Sequence, residues 1–305
     1  MKPLVSVITP YRNAKRFLPG FVDSLQRQTA KDWICIMVDD ASSDGGPALL
    51  AELVADDLRF QLISNTNPKH WPGPASARNC ALARVETEYV AFCDVDDLWH
   101  PNKLERQLAF QCTHNLELTV SAYARFIDGQ LDQPPQRVVC PPEHVVFRDL
   151  FGQNPIPMLT VILSADLARI GFSEVAHEDF LFWLELFKGH PSIRYGCLPE
   201  ILAFYCIHQR SLSSQKAVMP LWSYRVFRKS GQSRRRSLIS LFLWGMDHIF
   251  NRVSALRGSV GFRLSIGELL ATPPLLLQRR RPRVFQTLVL LHQSFQSHIG
   301  HRFPL

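Results

Sequence analysis

Acidic side chains are nearly missing from the last ninety residues of this chain. There Asp247 and Glu268 stand against 15 Lys and Arg, a balance of +13, whereas residues 1–215 carry 19 basic against 25 acidic, a balance of −6; the two sum to the formal net charge of +7. A stretch so poor in one sign forms a second functional unit fitted to an anionic partner. Paired cysteine is missing as well. The seven cysteines are odd in number and never occur as C-x-x-C, which excludes a simple disulfide framework or zinc ribbon and predicts reduced packing residues in a cytosolic compartment. Long apolar runs are also absent. The short "PLVSVIT" after Lys2 reads as a first strand and not a signal peptide. Asp247, Pro273 and Pro274 cut the C-terminal apolar stretches short of the roughly 20 residues that a spanning helix needs. No internal repeat or low-complexity block is present.

What the chain does have is alternation. The apolar runs "LVSVIT", "DWICIMVDD" and "FQLISNT" are separated by "AKRFLPGFVDSLQRQT" and "GGPALLAELVADD", both of helical period. This predicts an α/β chain with a parallel sheet and crossover helices, whose ligand site lies past the carboxyl ends of the strands. Residues 9–13, 39–44 and 94–97 each follow an apolar run, so three polar clusters are expected at one edge.

The densest cluster is in "YVAFCDVDDLWHP", where Asp94, Asp96 and Asp97 follow an apolar strand. Three carboxylates there repel one another unless a cation or a positive group of a substrate shares the site. Manganese or magnesium suits such oxygen ligands and completes its shell with water and phosphates, which points to a nucleotide-linked substrate. If the run is only a solvated turn, Asp97 caps the helix that follows. In "NPKHWPGPASARNCALARV" a Pro- and Gly-broken loop becomes a helix near Ala75 and brings Arg78 into its first turn, an arrangement that suits a diphosphate. Further on, "LTVSAYARFI" and "MLTVILSA" read as strands, "HEDFLFWLELFKG" as a helix opening on an acidic pair, and "CLPEILAFYCIHQRSLSS" as a strand ending in His208.

Taken together, "VSVITPYRNA", "IMVDDASSD", "ASARNCAL", "FCDVDDLWHPNKL", "HEDFLFWLEL" and "LPEILAFYCIHQRSLS" resemble the family 2 glycosyltransferases in order and spacing over about residues 3–214. The resemblance implies the GT-A fold, a Rossmann-like nucleotide-diphospho-sugar sheet, as a domain of residues 1–214. It implies inverting sugar transfer from a nucleotide-sugar donor, a UDP-sugar for preference, to a glycan or lipid-linked acceptor in cell-surface polysaccharide synthesis. It places Thr9, Pro10, Tyr11 and Asp40 at the nucleoside, Arg78 at the diphosphate and Asp94 at ribose or metal. Asp96, with Asp94 and His208, would hold Mn2+ or Mg2+, and Asp179 would be the general base, with Glu178 beside it. Asp97 is expected near the donor sugar, and Asp44 as a structural cap. Where many relatives read Tyr-Arg-x-His before the last of these residues, Cys206 replaces the Arg.

A sugar-phosphate nucleotidylyltransferase would need a Gly-rich phosphate loop after the first strand, and "ITPYRNAKRFLPG" is not one. Residues 215–305 form a basic amphipathic helical region. Leu238, Phe242, Met246, Ile249, Val253 and Leu256 make one helical stripe behind Arg234, Arg235 and Arg236, and Arg279, Arg280, Arg281 and Arg283 precede a second stripe of Val284, Leu288, Leu291, Phe295 and Ile299. Such helices suit an anionic membrane surface, which predicts a peripheral protein at the inner membrane face. The other readings are helices that only pack on the catalytic domain, or a nonenzymatic nucleic-acid binder, which leaves the strand-end acids unexplained.

Overall fold

The structure, a computed structural model, describes residues 3–65, 74–208, 219–257 and 264–277, with side chains of the third segment described as far as 246. The loop before Pro74 and the second arginine cluster with its stripe lie outside these residues, as do the side chains of Ile249, Val253 and Leu256.

The strands are β1 (Val5–Tyr11), β2 (Trp33–Asp39), β3 (Phe60–Ser64), β4 (Tyr89–Phe92), β5 (Leu98–Trp99), β6 (Leu118–Ile127), β7 (Arg137–Val139), β8 (Ile162–Ser164) and β9 (Tyr195–Ile207). They form one sheet of order β3-β2-β1-β4-β8-β6-β9-β5, with β7 on the side of β6. β1 is buried along its whole length, as expected of a parallel strand covered on both faces. Helices α1 (Leu18–Gln26), α2 (Gly46–Leu53), α3 (Ala75–Leu82) and α4 (Lys103–Thr113) follow the early strands. Then come α5 (Ala165–Ala168), α6 (Glu178–Gly189), α7 (Met219–Lys229), α8 (Arg234–Arg257) and α9 (Ile266–Ala271).

β1 to β4 are mutually parallel, with Tyr11 beside Asp39 and Ile8 beside Phe92. β8 runs against both β4 and β6, while β6 and β9 are parallel. The reversed strand β8 between β4 and β6 therefore restores the original direction, and β1, β2, β3, β4, β6 and β9 all end at the same edge. That edge is where the polar clusters lie.

Alternate residues of each strand feed two core layers. Ile8, Ile36 and Phe92 point to the side of Phe180, Trp183, Phe187 and Phe227, whereas Val7, Cys35 and Ala91 point to that of Phe21, Trp99 and Leu104. Val226 and Phe227 of α7 pack within the first layer, and Ile266 and Leu269 of α9 cover Ala122, Phe204 and Cys206. α7 and α9 thus share apolar cores with the sheet. "MLTVILSA" is a strand only from Ile162; Met158–Thr160 form a 3-10 turn behind Pro157.

Beneath the sheet lies a lysine that sequence reasoning did not single out. Lys103 is fully buried; its ammonium donates to Gln107 Oε1 at 2.6 Å and to the Thr160 carbonyl at 3.1 Å, and sits 4.9 Å from the Trp99 ring centroid. Burial pushes its pKa down to about 7. The unfolded chain then binds one more proton than the fold between pH 7 and about 10.4, so this group makes stability rise with pH across that window. Lys103→Met is expected to remove this rise. Urea unfolding of both proteins at pH 7 and pH 9 should show a gap that narrows in favour of the wild type at the higher pH, and a constant gap would disprove the assignment.

Candidate active site

At the nucleoside end, the Asp40 amide donates to the Tyr11 carbonyl at 2.9 Å, stitching β1 to β2. Asp40 Oδ1 accepts from Asn65 Nδ2 at 2.7 Å, and that same amide donates to Ser76 Oγ at 3.1 Å. Asn65, which ends β3, is a member of this group that sequence reasoning missed. Tyr11 is nearly buried, and burial, then Asp39 and Asp44, holds its phenol well above the usual range. Thr9 lies inside β1, fully buried with Cys35 Sγ 3.8 Å from its hydroxyl, and Pro10 is buried in the same strand. Both stand one or two residues before Tyr11, at the end of the strand that leads to the edge. Asp44 accepts from the amides of Lys15 (2.8 Å) and Gly46 (2.9 Å), so it works as the structural cap expected of it.

Arg78 is the centre of the site. Only 2% exposed, it donates from Nη1 to Glu178 Oε1 at 2.6 Å and from Nη2 to Asp94 Oδ1 at 2.7 Å. Burial by itself would push the guanidinium down; Asp94 and Glu178 more than offset this and hold it charged. Its two Nη groups are taken by the protein's own carboxylates, so Arg78 ties the end of β4 to the start of α6, while its Nε is buried with no partner among the described residues. Burial raises the Glu178 carboxyl to about 7, against the pull of Arg78 and with Asp179 adding to the rise.

The acidic pair is thereby divided. Glu178 is consumed by Arg78, while Asp179 is half-buried and receives a hydrogen bond on Oδ2 from Asn154 Nδ2 at 3.0 Å. Asn154 lies 25 residues away in an irregular loop, so no local pattern in the sequence signals it. His177, just before α6, adopts a left-handed backbone (φ 59°), and its ring lies 5.5 Å from that of Trp222 on α7.

On the other side of Asp94, Asp96 Oδ2 lies 2.7 Å from His208 Nε2 at the end of β9, and the His208 ring packs 5.2 Å from that of Phe17. His208 Nδ1 is buried with no partner among the described residues. Asp97 turns inward. It is 2% exposed, accepts from the Cys206 amide at 2.9 Å, and is held well above the ordinary carboxylate range by burial, then by Asp96 and Asp94. It joins β5 to β9 and reaches neither the edge nor the start of α4, which opens at Lys103 behind Asn102.

Among the described residues no three of His, Cys, Asp and Glu gather tightly enough to cage a cation. The donor set that does face the edge, one carboxylate and one imidazole, fits manganese or magnesium of the kind that takes few protein ligands and completes its shell with water and phosphate oxygens.

Replacing Arg78 with Met should destabilise the protein by about 3 kcal/mol at pH 8, because Glu178 and Asp94 lose their shared cation. A raised carboxyl contributes stability that is present below its unfolded pKa and lost as pH rises through the folded value. Glu178 is half-protonated at about 7 even with Arg78 in place, so the loss should shrink by pH 5. Denaturant unfolding at the two pH values checks this; an equal loss at both would show that the Arg78–Glu178 pair is not what is being broken.

Comparison with known proteins gives the family. The model of the family described as "Glycosyl transferase family 2" matches residues 6–163. The chain is 34% identical over 217 residues to the putative teichuronic acid biosynthesis glycosyltransferase TuaG of Bacillus subtilis, covering 70% of this chain and 83% of that one. It is 30% identical over 214 residues, 70% and 81% of the two chains, to the UDP-Glc:alpha-D-GlcNAc-diphosphoundecaprenol beta-1,3-glucosyltransferase WfgD of Escherichia coli. Among solved structures, the mannosyltransferase PcManGT from Pyrobaculum calidifontis in complex with GDP-Man and Mn2+ superimposes with a TM-score of 0.58 at 16% identity, over 85% of this chain and 77% of that one. With the family model spanning half of the sequence and the fold shared, the chain belongs to the family 2 glycosyltransferases and is a glycosyltransferase of the GT-A fold.

Proposed function

We propose that this chain moves a sugar from a UDP-sugar to a hydroxyl of a lipid-linked glycan, with inversion at the anomeric carbon, in the synthesis of a cell-surface polysaccharide. The observation that carries this reading is the division of the acidic pair. Arg78 occupies Glu178 and Asp94, and Asp179 is left beside them, oriented by a neutral amide. A carboxylate without a cationic partner can take up a proton, and direct displacement needs one such group across the sugar from the leaving diphosphate. The relatives support the substrate class: the name of WfgD specifies UDP-Glc and a diphosphoundecaprenol acceptor, and that of TuaG teichuronic acid biosynthesis.

In the proposed step the acceptor oxygen forms a bond to the anomeric carbon while the bond from that carbon to the diphosphate oxygen breaks, its electron pair leaving with the nucleotide. The acceptor proton passes to Asp179. Tyr11 and Asp40 line the nucleoside end, and Asp94, fixed by Arg78, borders the ribose and diphosphate. Asp96 and His208 would hold Mn2+ or Mg2+, which when bound neutralises charge on the leaving diphosphate; the Mn2+ of PcManGT supports this choice. Arg78 holds Asp94 and the head of α6 in register, so it is a positioning residue. A lipid-linked acceptor puts the enzyme at the inner membrane face, and among the described residues no helix is long and apolar enough to cross a membrane. The basic region, with its balance of +13 beside apolar stripes, is assigned to the membrane surface and not to nucleic acid.

Asp179→Asn is expected to retain donor binding while transfer falls by at least about 10²-fold, since only proton abstraction is removed. Donor titration alongside single-turnover rates separates the two effects, and transfer near the wild-type rate would move the base to another residue. Asp96→Ala should abolish the metal-dependent part of donor affinity in calorimetry, because the hard cation loses its carboxylate. Equal donor affinity in variant and wild type with manganese present would overturn the metal assignment.

A further inference from the structure

α8 is inside out. Its side turned to the protein carries serines, with Ser237 fully buried and Ser240 nearly so, while Leu238 is 58% and Phe242 63% exposed and Ile239 is exposed as well. The apolar stripe read from the sequence therefore begins on the outside of the protein. At 100° per residue, Arg234 and Arg235 fall on the same outward side as Leu238, Ile239 and Phe242, and both are exposed, as is Arg236. These arginines occupy the first turn of α8, which has no acidic residue. Cations there oppose the helix dipole, and the cap on the first turn is the neutral Ser233 hydroxyl, which accepts from the Arg236 amide at 3.3 Å. A ridge of large apolar side chains set among arginines, at the positive end of a helix, is the complement of a surface that is apolar below and anionic above.

We propose that this face of α8 is the membrane-docking surface of the enzyme, with Leu238, Ile239 and Phe242 entering the acyl boundary of an anionic bilayer and Arg234, Arg235 and Arg236 meeting its phosphates. The charge of the surrounding segment selects this occupant over a second copy of the chain. Residues 219–257 carry eight basic residues against Asp247 alone, so two such faces would repel each other. The surface also bears on the site. Gly152, at φ 101°, packs so closely on α8 that an added Cβ would stand 2.7 Å from Leu243 Cβ, and Gly152 lies two residues before Asn154, which orients Asp179. Docking through α8 thereby sets the base loop at a fixed place relative to the membrane. This inference deepens the proposed reaction, but vesicle binding is read without turnover and stands or falls separately from it.

The test is co-sedimentation of the full chain with large vesicles of phosphatidylcholine, with or without phosphatidylglycerol. The wild type should partition onto the anionic vesicles and release as salt is raised. Leu238→Ser with Phe242→Ser, and separately Arg234→Gln with Arg235→Gln and Arg236→Gln, should each lower the partition coefficient by at least about tenfold. Phe242→Leu, which keeps most of the apolar area, should bind within about threefold of wild type. Far-UV circular dichroism and transfer to a detergent-dispersed acceptor should be unchanged in all of them, which separates lost docking from lost folding or chemistry. Vesicle binding by the serine variant equal to wild type overturns the proposal. A wild type that ignores vesicles but dimerises through this face, with the serine variant monomeric in light scattering, overturns it in favour of a contact between copies.

Discussion

The site depends on one buried guanidinium. Four carboxylates, those of Asp94, Asp96, Glu178 and Asp179, are delivered to the same sheet edge by elements far apart in the chain, and without a cation among them their mutual repulsion would open the edge. Arg78 takes one acid from each side, Asp94 from the end of β4 and Glu178 from the head of α6. Removing a partner from such a buried pair costs far more than the pair contributes in net stability, so the clamp acts mainly to specify geometry. By occupying Glu178 it also settles which member of the acidic pair is available for chemistry.

Topology does the rest. β6 and β9 end at the same edge as β1 to β4 because one short strand, β8, runs backwards between β4 and β6. That reversal lets β9 travel in the same direction as β1 and deliver His208 to Asp96, more than a hundred residues away in sequence. Where β9 passes Pro199 and Glu200, its register with β6 slips, as expected where a proline interrupts a ladder. Residues 275–277 fill the interruption: Leu275 accepts from the Ile201 amide and Leu277 donates to the Pro199 carbonyl.

What could be read in the sequence was whatever depends on period and position. The parallel first strands, the helix behind "HED", and the convergence of Tyr11, Asp40, Asp94 and Asp96 all follow from apolar runs and what ends them. What could not be read depends on which surface meets which. Asp97 looks like an edge residue until the chain turns it toward the Cys206 amide. The bond from Arg78 to Glu178 could not be read either, because a helix start says nothing of a carboxylate arriving from a hundred residues on. Asn65 and Asn154 have no local signature, since their partners are distant in the chain, and Lys103 with Gln107 four residues on reads as an ordinary exposed helix pair. Periodicity found a stripe in α8, and only the packing of Ser237 and Ser240 showed that it faces outward.

The pairing of residues 275–277 with the gap in β9 has a consequence for synthesis of the protein. A ribosome releases this chain from its N-terminus, so all the acids of the site and even His208 emerge well before Leu275. Until that segment follows, β9 carries an unpaired stretch of backbone at Pro199–Ile201, and the Ala122, Phe204 and Cys206 surface lacks its α9 cover. An open strand beside bare apolar side chains is a template for pairing between nascent chains. The residues of the site are thus synthesised before the segment that covers this strand and its apolar surface.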